Sequence, residues 1–122
     1  MVIRHLTGDP PEMASRATAA LAAADELLLA DLVVAECIYV LESFYEVRRQ
    51  RVAELMRGLR GLPSIKTVDS PTLLRALEIY EIDRLDFAEA YLVAQAEASG
   101  VGAVLSFDTS IDRVATVERR EP

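Results

Sequence analysis

Three acids lie where a carboxylate would not be left without a purpose. Glu36 falls within Leu32-Val33-Val34-Ala35-Glu36-Cys37-Ile38-Tyr39-Val40-Leu41, in which every other position is apolar. A helix that is apolar all round is buried, and a buried carboxylate is costly unless it is paired or bound to a metal. Glu36 is therefore a metal ligand, the partner of an arginine, or a residue at a helix end that reaches solvent. Glu89 repeats the pattern within Phe87-Ala88-Glu89-Ala90-Tyr91-Leu92-Val93-Ala94. Here Asp86, three residues earlier, also makes a capping box with it, and the two roles can coexist at the rim of a site. Asp108 directly follows the apolar run Ala103 to Phe107. That places it at the carboxyl end of a strand, where open parallel sheets bind their ligands, or in a turn with Thr109 and Ser110. Asp112 follows one turn later, as a second acid or a solvated one. Carboxylates that converge without histidines suit a hard cation, Mg²⁺ or Mn²⁺. Such a site activates water for phosphodiester cleavage and stabilises charge on the phosphate.

The elements that must carry these acids alternate. Pro10 to Ala24 is Ala-rich and helical in propensity. Leu27 to Leu29 reads as a short strand. Asp31 can cap a helix that runs to about Tyr45. A helix over Arg48 to Arg60 places Val52, Leu55, Met56 and Leu59 on one buried face, and Gly61 and Pro63 end it. Ile65 to Val68 reads as a strand. Ser70-Pro71 starts a helix that reaches about Glu81, with Ser70 as the cap. Asp86 starts another, which Gly100 ends. Ala103 to Phe107 is an apolar strand, and Thr116 to Arg119 a last short one. Strands separated by helices imply a parallel sheet, and the crossover rule then predicts a three-layer α/β/α sandwich. Met1 to Leu6 is too short and too charged, with Arg4 and His5, for a buried first strand. The chain reads as beginning inside its first loop or helix.

At 122 residues the chain fits one domain, 1–122. It has a single cysteine, Cys37, so no internal disulfide forms. No apolar run is long enough for a membrane span, and no basic start leads into an apolar block. These features predict a soluble, cytoplasmic protein. The net charge of −7 weighs against a nucleic-acid-binding surface, although acids gathered in a metal site contribute to it. Lys66 is the only lysine, which removes a lysine nucleophile or phosphate clamp from most schemes. Arg48, Arg49 and Arg51, with Arg57 and Arg60, make the best basic patch. It could hold RNA phosphates, meet a partner's acids, or form a solvated helix face. His5 reads as a surface residue and Cys37 as a small core hydrophobe. Phe44, Tyr45, Tyr80 and Tyr91 read as core or interface.

The set Leu-Thr-Gly-Asp-Pro (6 to 10), Ala-Asp-Leu-Val-Val-Ala-Glu (30 to 36) with Val40-Leu41, Arg-Leu-Asp-Phe-Ala-Glu-Ala (84 to 90) and Val-Leu-Ser-Phe-Asp (104 to 108) resembles the PIN-domain family, and within it VapC-like toxins. The resemblance spans nearly the whole chain in order. It implies a Mg²⁺- or Mn²⁺-dependent endoribonuclease with a PIN-like sandwich, usually dimeric, that cuts an RNA substrate and is neutralised by a VapB-like antitoxin. The family's second acid falls on Glu36, its third on Glu89 (where Asp is more usual) and its fourth on Asp108. Asp86 and Asp112 are frequent companions in similar sequences. The family's first acid follows a short N-terminal strand as Asp-Thr-Asn or Asp-Thr-Ser, and this sequence shows neither the strand nor the acid. The chain is thus expected to be an N-terminally short domain whose full activity needs the missing acid.

Two other readings compete. A PIN-like shell without the first acid could bind an antitoxin or RNA without cutting, the amphipathic Arg48 to Arg60 helix giving a groove for a partner helix. A phospho-acceptor receiver domain would need an acidic pair early and a lysine late, whereas Lys66 lies mid-chain.

Overall fold

A computed structural model of the chain describes residues 2–23 and 25–122. It packs as two compact units, Met1–Val68 and Asp69–Pro122.

In the first unit, helix α1 (Val2–Thr7) is followed by α2 (Pro11–Ala23), strand β1 (Leu27–Leu28), α3 (Asp31–Ser43), α4 (Arg49–Arg60) and strand β2 (Ile65–Lys66). The helical start agrees with the absence of a strand-like pattern there. β1 and β2 pair in parallel, Leu27 with Ile65 and Leu28 with Lys66. The buried residues are Ala14, Ala17 and Leu21 of α2, Val34, Cys37, Ile38 and Leu41 of α3, and Val52, Ala53, Met56 and Leu59 of α4, together with Leu29 and Ile65. On α4 Ala53 is buried and the expected Leu55 only half-buried, whereas on α3 the buried residues fall at i, i+3, i+4, i+7, the spacing of a single helical face.

That spacing corrects the expectation that α3 is buried all round. Leu32 and Tyr39 are 73% and 68% exposed, and Glu36 lies exposed with them. An apolar residue count gives the hydrophobicity of a helix but not which of its faces is covered. Asp31 is also not the cap of α3. That position is Ala30, with no side-chain hydrogen bond, and Asp31 places its charge in the first turn, which favours an acid. Phe44 is 77% exposed, so it is not a core residue, and Tyr45 is exposed, its hydroxyl donating to Asp9 Oδ2 at 2.9 Å. In the turn into α4, Glu46 sits at φ 52°. The left-handed region crowds Cβ against the backbone. Glu46→Gly is expected to raise stability by about 0.5 kcal/mol, the relieved strain outweighing the extra freedom glycine gives the unfolded chain. A urea midpoint below the parent's would contradict this.

In the second unit, α5 (Ser70–Glu78) runs into a π-helical turn (Ile79–Asp83), then α6 (Phe87–Ser99), β3 (Ala103–Leu105), a 3₁₀ turn (Thr109–Arg113) and β4 (Glu118–Arg120). The cap of α5 is Asp69, not Ser70. Its side chain accepts from Thr72 N–H at 3.2 Å and from the Thr72 hydroxyl at 2.7 Å, and a carboxylate at this end also meets the helix dipole. β3 and β4 pair in parallel with Ala103, Val104 and Leu105 opposite Glu118, Arg119 and Arg120. Leu73, Ala76 and Leu77 of α5, Ile79 and Tyr80 of the π turn, Leu85, Phe87, Ala90, Val93, Ala94 and Ala96 around α6, and Val104, Ile111 and Val114 are all buried. Phe87 packs edge-on to Tyr80 with ring centroids 6.3 Å apart and stacks on Tyr91 at 6.0 Å. Arg75 on α5 forks onto Glu97 on α6 at 2.8 and 3.0 Å, and Glu97 also accepts from Thr116. Gly100 ends α6 at φ 77°, a conformation glycine takes without strain.

The fold is thus mixed α/β with parallel strands. The strands are shorter than the apolar runs suggested, and among the described residues they pair two by two. No helix among the described residues is long and apolar enough to cross a membrane.

Candidate active site

Asp86 and Glu89 stand on the first turn of α6, and Asp108 stands just past β3. Asp86 holds the extended conformation of a helix cap and accepts from Glu89 N–H at 2.8 Å. This satisfies one of the amides that a helix start leaves open. The turn before it is held from outside: Arg84 is left-handed at φ 62°, and Arg113 donates to the carbonyls of Asp83 and Arg84 at 3.3 and 3.2 Å. These carbonyls close the π turn and have no onward helix to bond.

With the helix capped by Asp86, the Glu89 carboxyl is free to turn toward the end of β3. Its Oε2 is buried with no hydrogen-bond partner. Burial pushes this carboxyl above the usual range, and the charges of Asp86 and then Asp108 push it further. Asp108 behaves in the opposite sense. Hydrogen bonds from Ser110, through its hydroxyl and then its amide, hold it below the usual range, helped by the charges of Arg113 and Arg119. The amide contact, Ser110 N–H to Asp108 Oδ1, is 2.9 Å. Asp108 is thus both the turn-forming residue and the acid at a strand's carboxyl end. Two neighbouring carboxylates pushed apart in acidity are a common mark of a functional site. Ser106 meets Asp108 directly, its hydroxyl accepting from Asp108 N–H at 3.0 Å, and it is a minor influence on Glu89 that acts against burial. Ser106 was not among the residues singled out in the sequence. Its one signal there is a hydroxyl two residues before an acid at a strand end.

The other expected site residues are placed differently. Asp112 is exposed, with Oδ1 and Oδ2 both engaged by Arg119 at 3.0 and 3.2 Å. Glu36 lies in the first unit, on the rim of a cleft of about 160 Å³ lined by Val2, Ile3, Val33, Cys37 and Val40. Beside it, Cys37 is buried and its thiol is pushed up by burial, which makes it a weak nucleophile. Arg48 caps α4 and is exposed, Arg49 is half-buried, and Arg51 pairs with Glu54 at 3.2 Å. His5 is half-buried and bonded through Nδ1 to the Thr18 hydroxyl at 2.8 Å, so it is not a free surface residue.

A family model of the PIN domain matches residues 1–117. The chain belongs to the PIN domain family. Comparison with curated proteins and with solved structures finds no match. PIN domains are in general nucleases, and they generally use divalent metals. Among the described residues no three Asp, Glu, His or Cys side chains gather into a metal-holding group. Glu89 and Asp108 form a pair, and the donor chemistry of that pair fits a hard cation. Both groups are carboxylates, and one oxygen is buried without a hydrogen bond. Mg²⁺ in particular is commonly held by one or two carboxylates, its remaining positions filled by water and substrate phosphate.

Proposed function

We propose that this PIN domain is a metal-dependent endoribonuclease of the VapC toxin type, acting through Glu89 and Asp108. The observation that carries the reading is the buried, unpartnered Oε2 of Glu89 beside a second carboxylate, Asp108, held below the usual carboxylate pKa range. Glu89 and Asp108 would hold Mg²⁺ or Mn²⁺, with Asp86 close enough to add its charge. A cation bound there supplies a water of lowered pKa and neutralises charge on the phosphate. Asp86 fixes the start of α6, and Ser106 holds the Asp108 backbone at the end of β3. Glu36 joins the proposed acid set through the family resemblance, as do a three-layer α/β/α arrangement and a cytoplasmic setting. Arg48, Arg49 and Arg51 are the proposed contacts to RNA phosphates or to a partner's acids. The exposed Leu32, Tyr39 and Phe44 support a chain that works with a protein partner, a VapB-like antitoxin or a second copy of itself.

The test is cleavage of a mixed RNA pool in Mn²⁺ by the chain and by Asp108→Asn and Glu36→Gln variants. Cleavage by the parent is expected to fall at least about 100-fold in Asp108→Asn, beyond the loss typical of residues that only support a metal ligand. A folded parent that neither cuts nor binds Mn²⁺ would overturn the nuclease reading. A second reading would then lead, that of a PIN domain that binds an antitoxin or RNA without cutting. It is favoured by the lack of a third clustered ligand among the described residues, and it requires partner binding that is indifferent to chelators.

A further inference from the structure

Arg119 stands on β4 opposite Val104, and its side chain is only 12% exposed. Its guanidinium makes four contacts. Nε and NH2 fork onto Asp112 Oδ1 and Oδ2 at 3.0 and 3.2 Å. NH1 donates to the Ser106 carbonyl at 3.2 Å and to Glu121 Oε1 at 3.1 Å. Ser106 is gripped from its other side as well, its N–H donating to the Arg120 carbonyl at 3.0 Å. Both backbone groups of Ser106 are therefore fixed to β4, and its hydroxyl is left to accept from Asp108 N–H at 3.0 Å.

We propose that Arg119 and Asp112 form a clamp that positions Ser106, and through it Asp108 of the acid pair, with Asp112 serving as the anchor of the clamp and not as a metal ligand. The proposal rests on the reading of Glu89 and Asp108 as the metal-holding pair. A bidentate arginine–carboxylate fork fixes orientation as well as charge. Drawing Asp112 away to a cation would leave a mostly buried guanidinium short of its acceptors, which is costly. Lysine cannot replace the fork, since it offers a single point of charge.

The experiment combines Mn²⁺ titration calorimetry with amide hydrogen exchange followed by NMR, on the parent, Asp112→Asn, Arg119→Gln, the double variant and Arg119→Lys. Each single variant is expected to weaken Mn²⁺ binding about tenfold, the usual cost of losing a group that supports a ligand. The double variant is expected to be no worse than either single, because both remove one device. Arg119→Lys is expected not to restore affinity. The Asp108 amide, freed from a fixed Ser106 hydroxyl, is expected to exchange faster in every variant, while Val93 and Ala94 in α6 keep their protection. Weakened Mn²⁺ binding in Asp112→Asn but not in Arg119→Gln would overturn the proposal and make Asp112 a ligand. An unchanged Asp108 amide in Arg119→Gln would also overturn it. If the parent takes up no Mn²⁺, the reading of the acid pair fails, and the Asp108 amide alone decides the clamp.

Discussion

Glu89→Gln is expected to make the protein more stable and less active at once. Ionised Glu89 faces Asp86 and Asp108 with one oxygen buried and unpartnered. Glutamine keeps the shape and a contact for Ser106 while it removes the charge. The gain at neutral pH should be about 0.5–1 kcal/mol, at the low end of the cost of an unsatisfied polar group because solvent screens the site in part. Its pH dependence has a definite sign. Burial and like charge raise this carboxyl in the folded state above the ordinary 4.5, so the folded chain binds its proton more tightly than the unfolded chain does. The penalty is therefore absent below 4.5 and grows as pH rises through the folded value. The advantage of Glu89→Gln should follow the same course. Mn²⁺ binding and RNA cleavage should fall at least about tenfold. Stability lost to keep a charge in place is the usual signature of a working site. Thermal melts from pH 4 to 8 with chelator present check the first half of the expectation and calorimetry the second. A variant less stable than the parent at pH 7 would mean that Glu89 serves packing instead.

Phe87→Ala carries the largest expected loss of stability. Phe87 is buried at the first position of α6 and joins Tyr80, fully buried in the π turn, to Tyr91. Removing the ring leaves a cavity that the helix can only partly close, at a cost of about 3–5 kcal/mol. Aromatic contacts beyond simple burial are lost with it. Since Asp86 precedes Phe87 and Glu89 follows it by two, any shift of this helix start also moves the acid pair. Urea unfolding gives the stability change. Phe87→Leu, close in volume, should cost less than about 1.5 kcal/mol and retain Mn²⁺ binding. Equal losses for the two variants would show that the ring geometry, and not the filled volume, is what matters.

The parts of this site legible in the sequence were those set by local rules. Asp86 followed by Glu89, with Gly100 at the far end, marked α6 almost to the residue, because caps act over one turn. Asp108 after Ala103 to Phe107 marked the strand end for the same reason. What depends on tertiary context was not legible. Glu36 read as buried because its neighbours are apolar, yet α3 covers only the face bearing Val34, Cys37, Ile38 and Leu41. Asp112 read as an acid near the site, but its partner is fixed by the parallel register of β3 and β4, which sets Arg119 opposite Val104. No spacing rule along the chain encodes that register. The PIN family follows from the order of several weak motifs, and the matching family model spans almost the same stretch.

The two strand pairs also differ in what each must bring together. Pairing Leu27 with Ile65 closes a loop that holds both α3 and α4, whereas pairing Ala103 with Glu118 closes one that holds a single 3₁₀ turn. The entropic cost of closure grows with the logarithm of loop length, and pairings between distant segments slow folding. On these grounds the β3–β4 ladder is expected to form before the β1–β2 ladder. Because that ladder leads into Ser106 and Asp108, Asp108 takes its geometry from the more local of the two strand pairings among the described residues.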